Sequence, residues 1–169
     1  MKVIRTSISC LALATAMACA PKALELAPAS PADVAVIAKI VATFDSCARV
    51  GAADVLMTYV TSDVVAFMPD QPALVGKEAM LASYRALYAA FTLDMHHAPI
   101  ETHVVGSLLV HRGDATGTIT PKAGGALMRF NNKYLMLFRR QVDGSLKLWR
   151  VAANSNIPPA PPPAVPKKK

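Results

Sequence analysis

Residues 59–80 read "YVTSDVVAFMPDQPALVGKEAM", and the order of signals in that stretch decides the architecture. "DVVAFM", 63–68, is a compact apolar run with β-branched residues and reads as a strand. Pro69 and Pro72 stop regular structure. Gly76 permits an unusual backbone angle or close packing. Glu78 lies in the first turn of the next helix, where a carboxylate meets the positive end of the helix dipole. That helix runs to about Phe91. Met80, Tyr84, Leu87 and Phe91 form its apolar stripe, with Leu81 and Tyr88 alongside.

Upstream, Asp33 is placed to cap a helix running to about Val50, and Gly51 ends it. Val34, Ile37, Val41, Phe44 and Ala48 make one stripe at helical spacing, with Val36, Ile40 and Cys47 beside it. Asp54 to Tyr59 reads as a short second helix. Downstream the pattern turns to strands. Residues 93–105 and 108–120 are joined near Gly106 and Ser107. "ALMRFNNKYLMLFRRQ" follows, and "VDGS" closes a hairpin onto "LKLWRVAANS". Gly113, Ala115 and Gly117 alternate in the second of these strands, so one face lets the sheet bend or lets something pack close. Helices followed by a run of antiparallel strands predict an α+β fold, with helices over one face of a curved sheet.

The two ends differ from this middle. "MKVIRTSISCLALATAMACA", 1–20, has a basic start and an apolar stretch too short to span a bilayer. It reads as a secretory signal. Cleavage before Cys19 would make a lipoprotein with Cys19 acylated. Cleavage after Ala18 or Ala20 is ordinary export, and a retained segment is the third reading. The expected division is a signal at 1–19, a Pro/Ala-rich spacer at 20–31, one domain at 32–157 and a disordered Pro/Lys tail at 158–169. The expected place is a bacterial envelope: periplasmic, secreted or lipid-anchored.

The formal charge of +7 lies mostly at those ends. Without Lys2, Arg5 and Lys167 to Lys169, 13 basic residues face 11 acidic ones. That balance argues against a nucleic-acid partner. Membrane contact is expected only through a lipid on Cys19. Cys47 is the one cysteine left in the domain, so no internal disulfide can form there. It reads as a small apolar helix residue. No CxxC or HExxH spacing occurs, and neither a metal nor a cofactor is expected.

Four stretches together resemble the SnoaL-like, ketosteroid-isomerase-like branch of the nuclear-transport-factor-2-like superfamily. They are residues 59–80, "GDATGTITPKAGG", "NKYLMLFRRQVDGSLKLWR" and the closing "NSN". The resemblance implies a cone-shaped roll, three N-terminal helices packed on a curved, mainly antiparallel sheet. It also implies pairing through the sheet, hence a homodimer. The fold hosts isomerases, cyclases, dehydratases and assembly domains, so it does not name an activity.

A steroid-isomerase mechanism needs a carboxylate base, a tyrosine and a protonated acid around an apolar pocket. By resemblance the base would stand at Met68, before Pro69. The first-helix tyrosine has no counterpart beside Thr43 and Phe44, and 126–138 holds no acid. Val151 and Ala153 stand where relatives often carry an aspartate and a tryptophan. A thioether cannot accept a proton at neutral pH, which argues against that chemistry.

Among substitutes, His97, His103 and Glu101 share one strand parity. A histidine inside the cone could act as a base. The plainer expectation leaves His96, His97, His103 and His111 on a solvated sheet face, and Asp63 in a cap or turn. Candidate catalytic groups are His97, Tyr84 and Arg150. Candidate ligand-binding residues are Phe67, Met68, Tyr84, Tyr88, Asn132, Tyr134, Arg150 and Asn154. Asn132 and Tyr134 share parity with Phe130, Met136 and Phe138; Arg150 and Asn154 share it with Leu146 and Leu148. Two functions follow. The first is non-catalytic binding of a small apolar or amphipathic molecule, with or without dimerisation. The second is an isomerase, cyclase or hydratase with a non-carboxylate acid/base.

Overall fold

The computed structural model describes residues 26–158. The expected signal at 1–19, its Cys19, the first half of the spacer, 20–25, and the tail from 159 onward lie outside the described residues. Helix α1, Pro31–Val50, is capped by Ser30, whose hydroxyl accepts from the Asp33 N–H at 3.1 Å. Pro31 suits the first position because its missing N–H would be unpaired there anyway. Asp33 is therefore a first-turn acid and not the cap. Gly51 closes the helix in the left-handed region, φ 75°. The buried stripe is Ile37, Ile40, Val41, Phe44, Cys47 and Ala48. Val34 and Val36, expected on or beside it, are exposed.

Short α2, Ala53–Leu56, passes through a single 3-10 turn into strand β2, Val60–Phe67. The link holds a two-residue strand β3, Leu74–Val75, before α3, Lys77–Ala90. Gly76 has φ 86°, and its N–H bonds the Val64 carbonyl, so this glycine turns the chain from sheet to helix. The remaining strands are β4, Phe91–Val105; β5, Leu108–Pro121; β6, Met128–Arg140; and β7, Leu146–Ser155. One more strand arises inside the expected spacer. β1, Ala27–Pro28, pairs with Val104 and His103 at the sheet edge.

The seven strands run β1-β4-β5-β6-β7-β2-β3, antiparallel except for the β2–β7 pair. Helix α1 lies across β4 and α3 against β2. Between helices and sheet sits a core containing Ile37, Phe44, Val64, Met80 and Phe138. The fold is thus α+β, helices on a curved sheet. No helix among the described residues is long and apolar enough to cross a membrane.

Candidate functional site

The inner sheet face is set by strand alternation. On β6 it carries Phe130, Asn132, Tyr134, Met136 and Phe138; on β5 it carries Leu109, His111, Gly113, Ala115 and Gly117. The two rows meet ring against glycine. Tyr134 is paired with Gly113 and Phe130 with Gly117. A Cβ on Gly113 would overlap the Ala98 carbonyl oxygen and stand 2.5 Å from Tyr134 Oη. One on Gly117 would overlap the Asp94 carbonyl oxygen and stand 2.8 Å from Phe130 Cζ. The alternating glycines therefore serve both readings at once: the strands close in, and the rings lie flat over them.

Ala115, between those glycines, is part of the wall of a cavity of about 120 Å³. Phe44 from α1, Met80 and Tyr84 from α3, and Met95 and His97 from β4 line it as well. Most of this wall is apolar. The polar groups are His97, Tyr84, Asn132 and Tyr134.

His97 is tied to α1. Its Nδ1 lies 2.5 Å from Asp45 Oδ1, and its backbone N–H donates to Oδ2 at 3.1 Å. Both side chains are largely buried, 7% and 13% exposed. A carboxylate only accepts, so Nδ1 carries the proton in the pair. In the neutral imidazole Nε2 is then the lone-pair nitrogen, and it has no protein partner among the described residues. The Tyr134 ring stands edge-on to the imidazole at 5.0 Å.

Behind Tyr134 lies a second histidine. His111 Nε2 is 3.1 Å from Tyr134 Oη, and its Nδ1 is 2.9 Å from Thr102 Oγ1. Burial holds His111 down to about 4, with a smaller push from His97. It is therefore neutral at physiological pH. A neutral imidazole donates from one nitrogen and accepts at the other, which ties Thr102 and Tyr134 to opposite roles. Burial pushes the Tyr84 and Tyr134 phenols up to about 12, so both remain protonated. The Tyr84 hydroxyl and the Asn132 amide have no protein partners among the described residues and can donate to a ligand oxygen.

Of the candidate residues, His97, Tyr84, Met68, Asn132 and Tyr134 come together in this wall. Tyr88 is buried beyond it, beside a neighbouring opening that Tyr84 also lines. Phe67 is 52% exposed and points away. Arg150 and Asn154 are on the outer face. Arg150 donates to the Asp63 and Trp149 carbonyls and stacks on the Trp149 ring, 4.0 Å from its centre. The reason is a register shift: Leu137 pairs with Arg150 but Phe138 with Leu148, leaving Trp149 as an extra residue. Inward parity passes from Leu146 and Leu148 to Val151 and Ala153, and Arg150 is turned out.

The same device separates the histidines of β4. Pro99 pairs with Gly113 and Glu101 with Arg112, so Ile100 bulges. His97 faces the cavity, while His103 and Glu101 form an outer cluster with Arg112. The solvated placement expected for His97 and His111 does not hold; both are buried. Asp63 lies within strand β2 rather than a turn, held by Arg139 and the Trp149 indole.

Sequence reasoning missed Asp45. Its cue is its position four residues after Val41 and eight after Ile37, an acid on the buried side of an apolar helix. No group of three or more His, Cys, Asp or Glu able to hold a metal occurs among the described residues.

Known proteins carry the same arrangement of elements. The family model described as the SnoaL-like domain matches residues 40–149. No curated protein matches the sequence. Among solved structures, a conserved protein from Planctomyces limnophilus is 24% identical with a TM-score of 0.69, covering 75% of this chain and 99% of its own. A ketosteroid-isomerase-like protein from Erwinia carotovora is 23% identical with a TM-score of 0.68, over 76% and 100%. A protein from Streptomyces avermitilis, provisionally described as a dehydratase of the NTF2-like family, is 24% identical with a TM-score of 0.59, over 75% and 98%. These likenesses speak for the fold. With its central 110 residues matched to the family model and its helices laid on the bent sheet, the chain belongs to the SnoaL-like domain family.

Proposed function

We propose that the cavity binds a small uncharged molecule and that His97 moves a proton at a carbon next to its carbonyl group, in an isomerase or dehydratase type of reaction. The observation that carries this reading is the His97–Asp45 pair, with Nδ1 held and Nε2 open to an apolar cavity. Nε2 takes the proton from the carbon. Tyr84 and Asn132 donate to the carbonyl oxygen as it gains negative charge, in surroundings where such bonds are strong. The imidazolium returns the proton to another carbon, giving an isomer. Alternatively it returns it to a departing hydroxyl, which leaves as water. Asp45 is the positioning residue and balances the imidazolium charge. Several neighbours of the same fold are described as isomerase-like or dehydratases, which supports the reaction class. This ranks proton transfer above the purely binding role.

The test is deuterium uptake from D2O at the α-carbon of cyclohex-2-enone, followed by NMR. His97→Gln should slow uptake by about 100-fold, the usual weight of a general base. Asp45→Asn should slow it by at least about tenfold with the ketone affinity kept. Binding of the ketone with no uptake above the buffer rate would leave a binding pocket and overturn the catalytic reading.

Two further features belong to the same proposal. The N-terminal pattern supports export. On the outer sheet face, Ile100 and Leu135 are exposed around a groove that also contains Asn154, and this supports pairing of two copies through that face. Protein recovered from the envelope should lack its signal by mass spectrometry and run as a dimer in light scattering. An uncleaved monomer would overturn both.

A further inference from the structure

Four methionines, Met68, Met80, Met95 and Met136, border the cavity that His97 lines. Methionine fills irregular gaps in a core. That accounts for Met80 and Met136, which are 1% and 4% exposed and belong to the main cluster. Met68 and Met95 differ. Both are only half-buried, and both also line the opening beside α3. They stand on the side of the cavity nearest to solvent.

Register places Met95 with His97. They are alternate residues of β4, paired without interruption to Gly117 and Ala115. Their side chains share one face, with Cα atoms about 7 Å apart. Met68, just past the end of β2, joins them in the same wall. Thioether side chains turn easily about three bonds, so their sulfurs can close on a common point.

His97 supplies the second, independent observation. Its side chain is 7% exposed, Asp45 holds Nδ1 at 2.5 Å, and Nε2 has no protein partner among the described residues. A carboxylate on the far nitrogen is how proteins orient metal-binding imidazoles and raise their basicity. No Lys or Arg lines the cavity to repel a cation. Asp45 provides the countercharge through the ring.

The donor set then selects the ion. The wall holds an imidazole and thioethers but no carboxylate and no thiol. Calcium and magnesium need oxygen ligands. Structural zinc sites are closed by thiolates, imidazoles or carboxylates. Thioethers favour Cu(I). We propose that His97 Nε2, Met95 Sδ and Met68 Sδ bind one Cu(I) ion, and that the bound ion shuts the site by occupying the lone pair that proton transfer uses. The shut-off rests on the reading of His97 as the base; the metal site itself does not.

The experiment uses the full chain with Cys10→Ser and Cys19→Ser, because thiolates also bind Cu(I). Cu(I) is titrated without oxygen in competition with the chelator bicinchoninate, and Zn(II) is titrated separately. One equivalent of Cu(I) should shift the His97 imidazole nitrogens and the ε-methyl NMR signals of Met68 and Met95 most strongly. Met68→Leu and Met95→Leu, which nearly keep the volume, should each weaken Cu(I) binding at least about tenfold. Their His97 Nδ1–H signal should persist, which reports an intact fold. Asp45→Asn should weaken binding by about 10- to 100-fold. Zn(II) should bind at least about 100-fold weaker than Cu(I). Deuterium uptake by cyclohex-2-enone should stop once the ion is bound.

Unchanged Cu(I) affinity in both methionine variants, shifts confined to other methionines, or Zn(II) binding as tight as Cu(I) would each overturn the site. Uptake that continues with the ion bound at these signals overturns the shut-off. Uptake that depends on His97, with no Cu(I) shift, overturns the metal site and leaves His97 as the base. Cu(I) bound at these signals in a chain that never deuterates the ketone upholds the metal site and overturns the proton-transfer reading.

Discussion

Replacing Gly117 with alanine should lower the stability of the protein by about 3 kcal/mol, the upper part of the range for overpacking in a closed interior. The added methyl has nowhere to go. It would overlap the Asp94 carbonyl oxygen, a backbone atom of the paired strand, and crowd Phe130 Cζ at 2.8 Å. A flexible side-chain tip could step aside, but the β4 backbone is held by its ladder to β5. The variant must pry β5 from β4 or push Phe130 into the cavity. A melting temperature lower by about 10 °C is expected for a domain of this size. Gly106→Ala is the control. It sits at a positive φ, 60°, but a Cβ there meets nothing within 4 Å. Its cost should be only the left-handed backbone penalty of about 1 kcal/mol. Equal losses from the two substitutions would show that close approach of β4 and β5 is not what Gly117 provides.

Acid should weaken the fold through His111. In the unfolded chain an imidazole takes its proton near pH 6.5. In the folded chain His111 resists protonation until about 4, chiefly because it is buried. Between those values the unfolded state binds more protons. The contribution is therefore complete above about pH 6.5 and is lost as the pH falls towards 4. Its full size is about 3 kcal/mol. The groups facing His111 are Thr102, Tyr134, His97 and the Phe138 ring, and none is an acid that would hold an imidazolium in place. Urea unfolding at pH 7 and pH 4.5 should show a steep loss in the native protein and a shallower one in His111→Gln. Parallel losses would mean that acid lability arises elsewhere.

Much of the architecture is legible in local signals. The strand, proline-bounded link, glycine and acidic helix start of residues 59–80 appear in order as β2, the turn, Gly76 and α3. The inward row of β6 follows from simple alternation, because no register shift interrupts its pairing with β5. Arg150 and Asn154 are misplaced by the same rule, because it fails across a bulge: one extra residue exchanges inside for outside. Pro99, which has no N–H for the ladder, marks the irregularity in β4. Trp149 offers no comparable mark.

Composition and periodicity by themselves determined that helices cover a bent antiparallel sheet and that an aromatic row runs along one face of β6. These properties repeat along neighbouring residues, so a single chain segment displays them. Only the tertiary structure decided that Asp45 grips His97, 52 residues away, that His111 sits neutral behind Tyr134, and that Tyr88 keeps an unpaired hydroxyl. Each of those depends on where α1 and α3 cross the sheet and on where two strands gain a residue. Such contacts between distant segments leave no period in the sequence to read.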